Sequence, residues 1–95
     1  MPSNIRSIQM KLRGKVQGVG LRFFLLGNAR GLGVDGWVCN NSDGTVSCHA
    51  QGDITSIDMF IKAAKEGRHS AIIEGIEITE TTVDASLSGF EVRTC

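Results

Sequence analysis

The chain has 95 residues, 41% of them hydrophobic, and its ten basic and ten acidic side chains give a formal net charge of zero. This length allows one domain, residues 1–95, with a single core, and is too short for two domains. A balanced charge is not typical of proteins that bind nucleic acid or anionic membranes, so we expect neither partner. No apolar run reaches the roughly 20 residues that span a bilayer, and no signal-peptide pattern opens the chain, so we expect a cytoplasmic protein. We also expect a monomer, although nothing in the sequence tests this.

The first elements are a strand and a helix, joined by a glycine-rich segment. Apolar and polar residues alternate from Ile8 to Leu12, the period of a strand with one buried face. From Leu21 to Leu32 the apolar residues have the spacing of a helix packed on a sheet. The sequence therefore predicts a strand, a loop and a helix in direct succession.

A hairpin is predicted next, with strands from Trp37 to about Asn41 and from Thr45 to Gln51. An Asp-Gly pair between alternating runs is a strong turn signal. A two-residue turn would place Cys39 opposite Cys48, whereas a three-residue turn with a bulge would place Val38 there. The sequence leaves both registers open.

The spacing of the three cysteines, Cys39, Cys48 and Cys95, fits no zinc pattern. Cys39 and Cys48 could meet across the hairpin, but in a reducing cytoplasm we expect two free thiols. Cys95, at the chain end, is expected to be exposed.

The second half predicts one helix and two strands. The segment 53–67 begins with helix-capping residues, has apolar residues at helical spacing and stops at Gly67. Strands follow from Ile72 to Glu80 and from Phe90 to Arg93, separated by a polar loop. The whole order favours a two-layer α+β sandwich in which a largely antiparallel sheet carries both helices on one face.

The segment "GKVQGVGLR", residues 14–22, contains the most informative local chemistry. Its glycines let backbone N–H groups turn inward around an anion, and the helix that follows adds its own free N–H groups. Arg22, in the first helical turn, could bind the same anion through two N–H groups of its charged guanidinium. The alternative is an ordinary strand-to-helix turn with a surface arginine. The segment lacks the Gly-Lys-Ser/Thr ending of a nucleotide-binding loop.

Two separated segments, "GKVQGVGLRFF" and "GWVCNNSDGTV", closely resemble the two signatures of the acylphosphatase family, and "AQG" and "FEVR" are also similar to that family. The resemblance covers nearly the whole chain. It implies a ferredoxin-like fold with a five-stranded sheet and an enzyme that hydrolyses the carboxyl-phosphate bond of acyl phosphates, with no metal or other cofactor.

The same resemblance implies which residues form the site. The catalytic arginine of the family falls on Arg22 and its catalytic asparagine on Asn40, which would orient the attacking water because a neutral amide is no strong base. The implied phosphate-binding loop comprises Lys15, Val16, Gln17, Gly18, Val19, Gly20 and Leu21. Two positions depart from the family pattern. Leu21 replaces an aromatic residue, which could change packing under the loop, and Cys39 replaces a basic residue, which could weaken binding of an anionic acyl group.

Other candidate residues have ordinary structural interpretations. His49 and His69 are isolated in the sequence and read as surface histidines, and Trp37 reads as a packing residue. Lys15 could add charge at the mouth of the site or simply be a solvated loop residue. The rival function is a non-enzymatic ferredoxin-like module that binds a small anion. Such a module would use the loop and Arg22 but would have no need of Asn40.

Overall fold

A computed structural model describes residues 4–67 and 70–95 of the chain, and its elements follow the predicted order. The strands are β1 (Ile5–Lys15), β2 (Asp35–Asn40), β3 (Val46–Asp53), β4 (Ile72–Glu80) and β5 (Phe90–Thr94), and the helices are α1 (Leu21–Leu32) and α2 (Ile54–Glu66). Neither helix of these described ranges is long and apolar enough to cross a membrane.

The five strands form one sheet in the order β4-β1-β3-β2-β5. All neighbours are antiparallel except β2 and β5, which are parallel. Residues that pair across the sheet share a face. Apart from Cys39, the apolar residues that the strands bury lie on one face, where both helices cover them, whereas Ser7 and Gln51 are buried on the other face. The prediction of a largely antiparallel five-stranded sheet with two helices on one face is confirmed.

The core lies between this face and the buried stripes of the two helices. Directly opposite pairs such as Met10 and Cys48 contribute side chains with no exposed surface. From α2, Phe60 packs edge to face against Phe90 of β5, with ring centroids 5.8 Å apart. This packing anchors the terminal strand to the helical layer and so fixes β2 beside it.

β1 and β2 begin or end beyond the predicted residues, for reasons of backbone geometry. β1 continues past Leu12 because a bulge between Arg13 and Gly14, with Gly14 at a φ of 125°, lets pairing with β4 resume as far as Lys15. β2 begins at Asp35 because Gly36, at a φ of 147°, packs against the backbone of His49, where a Cβ would collide with the carbonyl. Gly14 and Gly36 are therefore strand residues, although the predicted strands did not include them.

Of the two alternatives for the hairpin turn, the structure has the one with three residues. Val38 lies opposite Cys48. The backbone N–H of Asn41 donates to the Thr45 carbonyl at 2.9 Å, which closes a loop of residues 42–44. Gly44 in this loop has a φ of 91°, a conformation that favours glycine. The strands consequently end at Asn40 and resume at Val46 rather than at the predicted Asn41 and Thr45.

The expectation of a free Cys39 thiol is wrong, because the structure pairs Cys39 with Cys95 in a disulfide. The parallel pairing of β2 with β5 brings these two Cα atoms within 5.5 Å, a long-range contact that local sequence patterns do not reveal. Cys95 is exposed, as expected. Cys48 is a free thiol in the core, where burial raises its pKa.

Candidate active site

Residues 16–20 join β1 to α1 and form one wall of a small cavity, called here the phosphate cup. The cup has a volume of about 110 Å³ and is lined by Val16, Gly18, Gly20, Leu21, Arg22, Phe23 and Asn40. Val16 and Leu21, at the two ends of the loop, are almost completely buried in the core. The loop is therefore anchored at both ends while its middle faces the cavity.

The backbone of this loop has the geometry of an anion site. Gly18 and Gly20 have φ values of 72° and 78°, in the left-handed region that lets successive N–H groups converge. Gly20 is the N-cap residue of α1 and provides no side-chain hydrogen bond, and no acidic residue lies in the first turn of the helix. Within residues 4–67 and 70–95, the N–H groups of residues 17–23 donate to no protein acceptor. These donors are available to a bound anion.

The side chain of Gln17 links the loop to the hairpin through two hydrogen bonds. Its Nε2 donates to the carbonyl oxygens of Asn41 at 2.7 Å and Thr45 at 2.9 Å. Asn41, which the sequence analysis did not single out, donates through Nδ2 to Thr45 Oγ1 at 2.9 Å and Ser47 Oγ at 2.7 Å. The hairpin turn and the loop are thus held in a fixed relation, which positions the end of β2 beside the cup.

Asn40 is the last residue of β2 and lines the cup opposite the loop. Its Oδ1 is buried and accepts no hydrogen bond from the described part of the chain. An unsatisfied buried polar atom costs about 1–3 kcal/mol, so it requires an explanation in a native structure. An amide oxygen without a partner is ready to accept a hydrogen bond from a molecule that enters the cup.

Arg22 supplies the positive charge of the cup. It lies in the first turn of α1, is partly buried and forms no ion pair with any carboxylate of the two described ranges. No acidic side chain lines the cup. A free guanidinium beside unpaired N–H groups at a helix start creates a positive potential that favours a phosphoryl group.

Comparison with known proteins identifies the family. The sequence model of the acylphosphatase family matches residues 8–92. The protein belongs to the acylphosphatase family. The acylphosphatase of Salinibacter ruber is 36% identical over 88 residues, which cover 93% of each chain.

Solved acylphosphatases have the same fold. The Bacillus subtilis structure superposes with a TM-score of 0.89 at 30% identity, covering 93% of this chain and 98% of that one. The Coxiella burnetii structure gives 0.88 at 34% identity, covering 95% and 94% of the two chains. The resemblance deduced from the sequence and the ferredoxin-like fold that it implied are confirmed.

In this member of the family, the structure brings most of the expected site residues together. Arg22, Asn40, Val16, Gly18, Gly20 and Leu21 all line the cup. Lys15 is exposed at the end of β1, paired with Ile72, and does not line it. Val19 packs partly against the core.

The two departures from the family pattern have different surroundings. Leu21 is 1% exposed and fills the core under the loop, so an aliphatic side chain suffices at this position. Cys39 does not line the cup and lies with Trp37, Arg93 and Cys95 in a shallow pocket elsewhere. The concern that Cys39 would weaken binding of an anionic acyl group at the cup is therefore not supported by its position.

The other candidate residues lie on the sheet face without helices. Trp37, His49, Asp84 and Arg93 line a cleft of about 480 Å³, called here the open-face cleft. Trp37 stacks on His49 with centroids 6.0 Å apart and a tilt of 18°. Burial lowers the pKa of His49, Asp84 opposes that shift, and Arg93 adds to it. His69, the other histidine considered, falls outside the described residues.

Proposed function

We propose that this protein is an acylphosphatase that hydrolyses acyl phosphates to a carboxylate and phosphate, with Arg22 binding the phosphoryl group and Asn40 orienting the attacking water. The observation that carries the proposal is that Asn40, whose buried Oδ1 has no partner among the described residues, lines the same cavity as Arg22, whose guanidinium forms no ion pair with them. The chain's membership of the acylphosphatase family supports the same reaction class.

In the proposed complex, backbone N–H groups of the loop and the Arg22 fork hold the phosphoryl oxygens. Phosphoryl transfer requires little covalent help from a protein, because catalysis consists mainly of positioning and of stabilising charge on the equatorial oxygens. The lining of the cup offers no carboxylate, the ligand that Mg²⁺ prefers. Arginine and amides instead provide the positive charge, so the reaction is proposed to proceed without a metal.

The remaining role falls to Asn40. Its Oδ1 accepts a hydrogen bond from water and turns an oxygen lone pair towards phosphorus. A new bond forms between the water oxygen and phosphorus, the bond from phosphorus to the bridging oxygen breaks, and both electrons leave with the carboxylate. The acyl phosphate dianion and water thus yield a carboxylate and dihydrogen phosphate. A carboxylate leaves readily, which removes the need for a general acid.

The rival interpretation is a module that binds an anion without reaction. It explains the loop and Arg22, but it gives no purpose to the buried, unpartnered amide oxygen of Asn40, a residue that lines the cup. Binding of phosphate and turnover are therefore measured separately.

Hydrolysis of benzoyl phosphate in ¹⁸O-labelled water, with EDTA present, tests the proposal. We expect enzyme-dependent turnover with the label in phosphate and none in benzoate, because attack occurs at phosphorus. Label in benzoate would contradict the assigned roles of Arg22 and Asn40. A folded protein that binds phosphate without turnover would instead be the anion-binding module.

A further inference from the structure

We propose that the acyl group of the substrate lies in an apolar groove along the exposed face of α1, and that Phe23 determines a preference for neutral, apolar acyl groups of several carbons. This inference rests on the proposed function, since it extends the site beyond the phosphate cup. The structural link is Phe23, which lines both the cup and the groove.

The sizes of the two spaces favour an acyl group that extends out of the cup. The cup, of about 110 Å³, is much smaller than the neighbouring groove of about 520 Å³, and a phosphoryl group held by the loop would take part of it. Phe23 stands at the rim with 65% of its surface exposed. An exposed aromatic ring beside a site is a typical contact for an apolar ligand.

The groove continues from Phe23 along α1. It has a volume of about 520 Å³ and is lined by Phe23, Phe24, Gly27, Asn28, Gly31 and Leu32. Phe24 and Leu32 are partly buried and packed against the core, so they form fixed walls. A Cβ built at Gly27 or Gly31 would meet no atom within 4 Å. The absence of side chains at these two positions keeps the groove open.

The charge of the lining indicates which acyl groups fit. None of the six lining residues is ionisable. The one amide, Asn28, already donates to the Phe24 carbonyl at 2.8 Å. A second carboxylate on the acyl group would find no charged partner and would lose hydration, whereas a hydrocarbon chain would cover the exposed Phe23 ring. The lining therefore selects neutral, apolar acyl groups.

The test compares kcat/KM for acetyl, butanoyl, hexanoyl and benzoyl phosphate. We expect the wild type to prefer hexanoyl or benzoyl phosphate to acetyl phosphate by about tenfold or more, since tenfold is the lower end of the discrimination that one methylene gives in a hydrophobic pocket. Phe23→Ala should remove most of this preference. Gly27→Leu should remove it by filling the groove without weakening α1, because leucine is a better helix former than glycine. Met59→Ala, which truncates an exposed apolar residue of α2, is the matched control and should leave every rate unchanged.

The outcomes separate this inference from the proposed function. Turnover of acetyl phosphate with equal kcat/KM for all four substrates would overturn the groove and leave the proposed function standing. The same holds if Phe23→Ala and Gly27→Leu lower all four rates equally. Absence of turnover with any acyl phosphate would overturn both. If Phe23→Ala converts a dimer into a monomer and retains the acyl preference, the groove is a contact between copies of this chain and the proposal fails.

Discussion

The phosphate cup and the open-face cleft both contain polar groups, but several polar groups at the cleft bind one another. Asp84, which lines the cleft, is held by the buried Gln51, whose Nε2 donates to the Asp84 carbonyl at 2.9 Å and whose Oε1 accepts from the Asp84 N–H at 2.8 Å. Asp84 Oδ1 in turn accepts from the N–H and Oγ of Ser86 at 2.9 and 2.6 Å. In the cup, the guanidinium of Arg22 and the Oδ1 of Asn40 have no such partners among the described residues.

This difference indicates what each region does. Polar groups that bind one another stabilise the fold, since breaking one leaves its partner unsatisfied. Polar groups held rigidly without partners are prepared for a ligand, at some cost in stability. Substitutions in the cleft should therefore change stability and spare activity, and substitutions in the cup should do the reverse.

The largest effect is expected from Arg22→Ala, which should lower kcat/KM for benzoyl phosphate by more than about 10³-fold. Removing one preorganised donor costs about 10² to 10³ in rate, and a charged fork contributes more than one donor. Arg22→Lys should recover only part of the loss, since an ammonium lacks the planar fork. The midpoint of urea unfolding should not change, because Arg22 forms no ion pair in the described structure.

Lys62→Ala is the control for this experiment, because it removes an exposed cation of α2 that does not line the cup. It should leave kcat/KM unchanged. Activity of the Arg22→Ala variant close to that of the wild type would show that the cup is not the site of reaction.

Beside the cleft, Gln51→Leu should destabilise the fold by about 1–3 kcal/mol, because it leaves the N–H and carbonyl of Asp84 without their partners. Gln51 is only 6% exposed, so water cannot easily replace its amide. Urea unfolding measures the loss, and Thr82→Ala, an exposed change in the same cleft, should cost less than about 0.5 kcal/mol. A lower kcat with unchanged stability would instead assign the cleft to catalysis.

Gly18 in the loop and Gly27 in α1 both have open space around them but differ in backbone conformation. Gly18→Ala should cost about 1–2 kcal/mol because its φ of 72° is unfavourable for alanine, although no atom would collide with the new Cβ. Gly27→Ala, within α1, also has open space and should stabilise the helix by up to about 1 kcal/mol. Thermal or urea unfolding compares them. Equal stabilities would contradict the conformational role of Gly18 in the loop.

The smallest effect concerns pH. Because burial lowers the pKa of His49 below its ordinary 6.5, the unfolded chain binds the proton more readily than the folded one. The stability contributed by neutral His49 is complete above pH 6.5 and is lost as the pH falls through the lowered pKa. The difference between wild type and His49→Gln in the free energy of unfolding should therefore shrink from pH 7 to pH 5. Activity at pH 7 should be the same in both, since His49 does not line the cup.

Local patterns predicted the elements and part of the cup. α1 and β4 have the predicted bounds, because the spacing of their apolar residues is local to each segment and Gly33 ends α1. The glycines and Arg22 are also close together in the sequence. The pairing of β2 with β5, and with it the disulfide of Cys39, depends on contacts between distant segments and was not predicted.

The side-chain environment of the site required the folded structure. The sequence placed Asn40 in the site, but the isolation of its Oδ1 follows from the meeting of the hairpin and the loop. The hydrogen bonds from Gln17 to the hairpin and the exposure of Phe23 are likewise consequences of tertiary packing. A glycine-rich segment can indicate a loop for an anion, but it does not reveal which neighbouring atoms remain unpaired.

The most direct test of the central claim is the kinetics of Asn40→Ala with benzoyl phosphate in EDTA, together with inhibition by inorganic phosphate. We predict a fall in kcat of about 10² to 10³-fold, an unchanged inhibition constant for phosphate, and a free energy of unfolding no lower than that of the wild type, since the variant removes an unsatisfied buried oxygen. Turnover like that of the wild type, or a loss of activity explained by unfolding, would contradict the account.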